Sequence, residues 1–318
     1  MDILRGLFSP LPPLRTPVAT LGAFDGVHRG HQRILADTTA WAAALGGQPV
    51  ALTFDPLPKA VIGPGNALCI TSLPHRLLLL ERLGIALTIV VPFDGAVAAM
   101  PADRFVTGVL LGWLGARHLV VGRDARFGRG GEGDLALLRR LQAQGTLEVR
   151  SPAPVRHRGA VISSTAIRQA IAEGGLRAAA AMLGRPFSHF GTVVHGDHRG
   201  RELGFPTANL DLHHEAIPPD GVYATLAHLA PGGPLPSLTY VGRRPTFARD
   251  DADTAIEVHL IGTDRDLYGL DIEVQFLKKL RGDIRFPSPD ALVTQMHADR
   301  AAALAAIASA RLPTRVAT

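Results

Sequence analysis

Three stretches of this chain place phosphate-handling residue types at short, ordered spacing. The first is Leu21-Gly-Ala-Phe-Asp-Gly-Val-His-Arg-Gly-His31. Gly22, Gly26 and Gly30 let a backbone approach a phosphate closely, and a helix starting after the run supplies oriented N–H donors. His28 and His31, three positions apart, project to one side of that first turn, with Phe24 and Asp25 leading in. Two imidazoles there can donate to nucleotide phosphates as negative charge moves onto a departing pyrophosphate. No protein nucleophile is needed: an acceptor phosphate attacks the α-phosphorus while the site positions it and stabilises charge. The Walker A spacing is absent. A plain glycine turn with two surface histidines, or a His-x-x-His metal pair, is the competing account, although no third metal ligand lies nearby.

The second stretch runs from Gly191-Thr-Val-Val-His-Gly-Asp-His-Arg-Gly-Arg to Glu-Leu-Gly-Phe-Pro-Thr-Ala-Asn209. It is a glycine-rich, basic loop containing Gly196, Arg199, Gly200 and Gly204, able to curve tightly around phosphates. Thr207 and Asn209 follow, oxygen donors of the kind Mg²⁺ accepts beside ATP phosphates. The third is Ile162-Ser-Ser-Thr-Ala-Ile-Arg168, where Ser164 and Thr165 open a helix and Arg168 lies one turn on. By itself that is an ordinary N-cap with an arginine; beside the first motif it reads as a second phosphate clamp.

Strands and helices alternate through the first half and would hold these residues at strand ends. Val18–Gly22, Pro49–Phe54, Ala86–Val91, His118–Gly122 and Leu147–Arg150 read as strands. Gln32–Leu45, Leu77–Leu83, Arg104–Leu114 and Leu135–Ala143 read as helices between them. That order predicts a parallel sheet with helices on both faces, whose ligands gather at the carboxyl ends of the strands. Two further helices, Ser164–Glu173 and Leu176–Leu183, precede a change of texture near residue 185. Short β runs then follow (Gly191–His195, Gly221–Leu226, Ile256–Leu260, Ile272–Phe276), and an alanine-rich helix over Pro289–Ala310 closes the chain. This spacing predicts an antiparallel sheet or small barrel.

The chain has 318 residues, which favours two domains, since single cores stop growing near ~250–300 residues. The reading places them at 1–184 and 185–318. The 33 basic residues, mostly arginine, exceed the 28 acidic ones modestly. That suits anionic small molecules, whereas nucleic-acid binding needs a clustered basic stripe that is absent. One cysteine, Cys69, excludes an internal disulfide and a cysteine-cluster metal site, and is compatible with a cytoplasmic setting. No run has the length of a membrane span, and Met1–Pro17 lacks the apolar core of a signal peptide. The sequence is compatible with a homo-oligomer and does not specify one.

These motifs resemble the bifunctional riboflavin kinase/FMN adenylyltransferases, the bacterial FAD synthetases. Gly22-x-Phe-Asp-Gly-x-His-x-Gly-His31 and Ser163-Ser-Thr-Ala-Ile-Arg168 are similar to that family's adenylyltransferase segments. The Gly191–Asn209 stretch is similar to its riboflavin kinase signature. Gly221-Val-Tyr223, Pro245-Thr-Phe247, Ile256-Glu-Val-His259 and Asp266-Leu-Tyr-Gly269 recur in the family's order, over roughly residues 18 to 305. The resemblance implies a Rossmann-like nucleotidyltransferase domain followed by an antiparallel β-barrel kinase domain. It implies ATP and Mg²⁺, with riboflavin, FMN and FAD as substrates or products. Glu257 would be the base for the riboflavin 5′-hydroxyl, Thr207 and Asn209 would hold the metal, and His28, His31, Asp124, Ser164, Thr165 and Arg168 would serve the adenylyltransferase.

Several positions depart from the family pattern. Leu57 stands where histidine is usual, Ala86 where an acidic residue is usual, and Ala125 where an aromatic is usual. In the second half Tyr240 and Arg243 replace Asn and Thr, and Asp283 stands near an expected Glu. A lost aromatic removes a stacking surface and a lost histidine a polar contact. A kinase whose first domain is inactive or changed in acceptor is therefore an alternative, as is a non-catalytic flavin- or nucleotide-binding regulator.

Overall fold

The computed structural model describes residues 1–62, 68–195, 204–212, 215–229, 232–243, 254–263 and 265–310. Contacts divide the chain into two units. Met1–Cys69 and Leu73–Ser164 build the first; Ile70–Ser72 and the described residues from Thr165 to Ala310 build the second.

The first unit is a six-stranded parallel sheet in the order β1-β4-β3-β2-β5-β6. Its strands are β1 (Asp2–Arg5), β2 (Pro17–Leu21), β3 (Gln48–Phe54), β4 (Leu87–Val91), β5 (His118–Val120) and β6 (Glu148–Arg150). Between them run α1 (Arg29–Ala44), α2 (Pro58–Ile62), α3 (Leu73–Arg82), α4 (Gly95–Ala98), α5 (Ala102–Arg104) and α6 (Leu135–Ala143). From Phe105 to Trp113 α5 continues as a π-helix. Every residue of β2 and β4 is buried, as expected of parallel strands covered on both faces. Alternation sorts their side chains. Ala19, Leu21, Leu52 and Ile89 pack with Phe105, Val109 and Leu138, whereas Ala51 packs with Leu35, Leu79 and Leu80. The sequence reading assigned no strand to the first residues, yet β1 pairs with β4 from Asp2↔Leu87 to Arg5↔Val90. A four-residue edge strand with charged ends carries little hydrophobic pattern.

The second unit is a closed antiparallel barrel. Its strands are β9 (Phe187–Val194), β10 (Ala208–Leu212), β11 (Gly221–Leu229), β12 (Pro234–Arg243), β13 (Thr254–Leu260) and β14 (Asp271–Arg281). They run in the order β10-β13-β12-β11-β14-β9, following a small hairpin of β7 (Arg156–His157) and β8 (Ala160–Val161). Helices α7 (Ser164–Ala172) and α8 (Leu176–Leu183) precede the barrel, and α9 (Pro289–Ser309) closes the chain. Phe187, Tyr223 and Phe276 form a contiguous buried aromatic group, and the Thr225 hydroxyl bonds those of Ser237 and Thr239 at 2.8 Å each. The alternate positions Val222, Ala224 and Leu238 point out beneath α9, packed with Ala303.

One ion pair locks α9 to the barrel. Arg281 donates from Nε to both oxygens of Asp299 (3.2 and 3.0 Å), its Nη2 lies 2.9 Å from Oδ2, and Gln295 adds a bond at 2.8 Å. Both ends are largely shielded from water. Replacing Asp299 by Ala strands the guanidinium, so the barrel unit should lose about 3 kcal/mol, the low end of values for breaking a buried pair. Thermal unfolding followed with and without 1 M salt (an order-of-magnitude screen of exposed pairs) checks it, since a shielded pair resists screening.

Candidate active sites

In the first unit, β2 ends at Leu21 and the chain turns through Gly22 to His28 before α1 begins at Arg29. Sheet order reverses at β2: β3 and β4 lie on one side, β5 and β6 on the other. Open α/β sheets bind ligands at such a switch point, outside the carboxyl ends. The turn is sharply bent, with positive φ at Phe24 (48°), Gly26 (81°) and Val27 (39°). Phe24 is 1% exposed and seats its ring among Leu35, Leu79 and Leu80. It anchors the loop from below, and the Gly22 N–H donates to Leu52 O at 3.1 Å.

His28 is the N-cap of α1. Its Nδ1 accepts from the His31 backbone N–H at 3.3 Å, which puts the neutral ring's proton on Nε2. The two imidazoles stack with centroids 3.6 Å apart and planes 18° off parallel, and Phe24 meets His31 edge-on at 5.4 Å. A Cβ at residue 30 would lie 3.0 Å from the His28 ring, so Gly30 makes room for it. Burial first, then the charges of His28 and Arg76, hold the His31 pKa well below the ordinary histidine value.

The Ser164 hydroxyl, at the start of α7, donates to the Asp25 carbonyl at 2.9 Å. The third motif is thereby joined to the first. Thr165 and Arg168 follow on α7 and group with the second unit. Asp124 lies in the loop after β5: a Cβ on Gly122 would sit 3.0 Å from Asp124 Oδ1 and 3.5 Å from Ile34 of α1, which sets this loop beside the helix that His28 caps. Among the departures, Ala86 precedes β4 at the amino end of the sheet, opposite the His28–His31 loop. Leu57 and Ala125 lie in loops at the carboxyl end, Ala125 packed on the core.

In the second unit β10 and β13 pair so that Asn209 faces Glu257, and β12 brings Tyr240 opposite Glu257 on the other side. Asn209, Glu257 and Tyr240 therefore form a row across three neighbouring strands, on one face. The Thr207 hydroxyl donates to Glu257 Oε2 at 3.4 Å. His259, two residues on in β13, holds the Pro206 carbonyl through Nδ1 at 2.9 Å, fixing the backbone before Thr207. Burial lowers the His259 pKa despite that bond. Burial, and then the carboxylates of Asp283, Asp220 and Glu257, raise that of the Tyr240 phenol. A cavity of about 250 Å³ opens beside Thr207, lined among others by Val193, Val258, Arg265, Asp266 and Tyr268. Tyr268 stacks on His195 at 3.9 Å. Gly204 adopts φ 79° at the approach to Phe205. Gly196, Arg199 and the Pro245–Phe247 segment lie outside the described residues. Among the described residues, no cluster of three or more His, Cys, Asp or Glu side chains is arranged to hold a metal, and no helix is long and apolar enough to cross a membrane.

Nothing in the sequence singles out Arg76, whose guanidinium lies under the first loop, or marks His259 as the tether of Pro206. Arg76 sits in a leucine-rich helix in which nothing marks the buried face. His259 alternates along its strand like any half-exposed residue.

The FAD synthetase family profile matches residues 12–166 and the riboflavin kinase family profile residues 183–307. Bifunctional riboflavin kinase/FMN adenylyltransferases of Escherichia coli K12 and Pseudomonas fluorescens are each 37% identical to the chain. The first alignment covers 94% of this chain and 96% of that protein; the second, 96% and 97%. A crystal structure described as a macrolide-efflux protein from Streptococcus pneumoniae is 29% identical, with a TM-score of 0.79 over 96% of this chain and 99% of that one. With both profiles in order along the chain and relatives matched nearly end to end, the chain belongs to the bifunctional riboflavin kinase/FMN adenylyltransferase family.

Proposed function

We propose that the chain phosphorylates riboflavin to FMN in its barrel unit and adenylylates FMN to FAD in its parallel-sheet unit, with the functional boundary at residues 184 and 185. The convergence of Thr207, Asn209 and Glu257, brought together by pairing of β10 with β13, carries the reading. Glu257 accepts the proton of the riboflavin 5′-hydroxyl as that oxygen attacks the γ-phosphorus of ATP, and ADP departs. The Thr207 hydroxyl and Asn209 amide are hard oxygen donors suited to magnesium, which binds through few protein groups together with substrate phosphates. When bound, the ion neutralises charge on the β- and γ-phosphates. The cavity beside Thr207 fits the rest of the nucleotide, with Gly196, Arg199 and Gly204 in the phosphate loop.

In the first unit an FMN phosphate oxygen attacks the α-phosphorus of a second ATP, and pyrophosphate leaves. His28, its proton on Nε2, donates to the phosphates as charge develops, with His31 stacked against it. Gly22, Asp25, Gly26, Gly30 and the α1 N-terminus shape the cradle, and Asp124 and Ser164 add nucleotide contacts in this unit; Thr165 and Arg168 are assigned to nucleotide binding on the family resemblance alone. Phe24 serves this site as the loop's anchor. The partners are small molecules in the cytoplasm, without nucleic acid or membrane. A chain that stops at FMN is the second reading, favoured by Leu57 and Ala125 at the carboxyl end of the sheet. Purified protein given riboflavin, ATP and Mg²⁺ should yield FMN and then FAD by chromatography. FMN alone would select the second reading, and neither product would sink both.

A further inference from the structure

We infer that Arg76 is a positioning residue for adenylyl transfer: from beneath the His28–His31 loop its guanidinium ties the carboxyl ends of β2 and β3 together and fixes where the imidazole pair stands. The inference rests on the proposed adenylyltransferase role of the first unit. Arg76, on α3, is 1% exposed. One nitrogen, Nη1, donates to Ala23 O at 2.7 Å, Thr53 Oγ1 at 3.0 Å and Phe54 O at 3.0 Å. Thr53 Oγ1 in turn donates to Ala23 O at 3.2 Å, which closes a small network between the end of β3 and the loop that follows β2. Ala23 lies next to Phe24 and five residues before His28, so the network grips the same turn that presents the imidazoles.

A guanidinium removed from water is costly, and one Nη1 group shared by two carbonyls and a hydroxyl at two strand ends gives that cost a geometric use. Burial lowers the Arg76 pKa, and the carboxylates of Asp25 and Asp55 oppose that effect. The charge reaches the site as well. His31 is faced by His28 from the N-cap, by Phe24 from the loop and by Arg76 from α3. Burial and the Arg76 charge both favour the neutral His31 ring. Removing the Arg76 charge therefore raises the pH at which His31 takes up a proton, whichever form the reaction uses.

The experiment uses the full chain, with FMN and ATP supplied and FAD formation followed against pH. Riboflavin-to-FMN turnover serves as a control in the second unit, and hydrogen-exchange protection of β2–β5 as a control for the sheet. Arg76→Gln should lower kcat for FAD formation by ~10²-fold, the scale of an ångström-level misplacement, and move the pH midpoint upward. Arg76→Lys offers a single ammonium to the same acceptors and should lose less kcat and move the midpoint less than Arg76→Gln. Wild-type kcat and midpoint in Arg76→Gln would overturn the inference, as would equal losses in both variants with no midpoint change. If Arg76→Gln fails to protect the sheet, Thr53→Val decides. It deletes one acceptor and leaves the charge, so a several-fold kcat loss at unchanged midpoint supports the inference and wild-type kcat overturns it. Wild-type protein that forms FMN and no FAD would instead remove the adenylyltransferase reading on which this rests.

Discussion

Glu257→Gln should abolish FMN formation from riboflavin, lowering kcat by ~10²–10⁴-fold, while FAD formation from supplied FMN stays at the wild-type rate. The range is that of general-base catalysis by a positioned side chain. The glutamine keeps the shape and can still meet the Thr207 hydroxyl, 3.4 Å away in the native protein, so the loss isolates the missing basicity. KM for ATP should move little, because Thr207, Asn209 and the neighbouring cavity remain. Steady-state rates with riboflavin and, separately, with FMN check both halves of the expectation. A large loss in both reactions would mean that the substitution disturbs the whole chain.

The second large effect is expected at His28. His28→Ala should cut FAD formation from FMN by ~10²–10³-fold, the usual consequence of removing one preorganised donor from developing charge. FMN formation should be untouched. Two contributions are combined in that number, because His28 also caps α1 through its bond from the His31 N–H. His28→Asn separates them. Asparagine caps helices well, so it should restore stability to near wild type and recover little of the rate. Recovery of both would assign His28 to capping alone.

Much of the first unit was legible because parallel strands buried on both faces read as unbroken apolar runs, as in Leu87-Thr-Ile-Val-Val91. The barrel was legible only in part. All four strands that the runs marked, β9, β11, β13 and β14, are longer in the structure than Gly191–His195, Gly221–Leu226, Ile256–Leu260 and Ile272–Phe276 suggest, since barrel closure recruits residues with no strong alternation. Strand β12, which matches none of those runs, opens with Pro234 and Pro236, and Pro236 still accepts a bond from Ile261. Strand β10 was hidden inside a motif read for its oxygens. The segment Phe105–Trp113 was read as an ordinary helix, and nothing in its apolar composition distinguishes a π-helix.

The sites divide in the same way. His28 and His31 are neighbours along the chain, so spacing alone brought them together. Thr207 and Glu257 are 50 residues apart, and only the pairing of β10 with β13 joins them. The departure at Ala86 bore on function in the sequence and loses that bearing in the structure, because it lies at the wrong end of its strand. Those at Leu57 and Ala125 keep it.

The central claim is that two independent catalytic units work in sequence on one chain. It is tested most directly by mixing equal amounts of the Glu257→Gln and His28→Ala variants with riboflavin, ATP and Mg²⁺. Each variant alone should fail to make FAD from riboflavin, the first for want of FMN and the second for want of adenylylation. Together they should produce FAD, after FMN released by one variant reaches the other. A mixture that accumulates FMN and no FAD, with each variant behaving alone as described, would contradict the account.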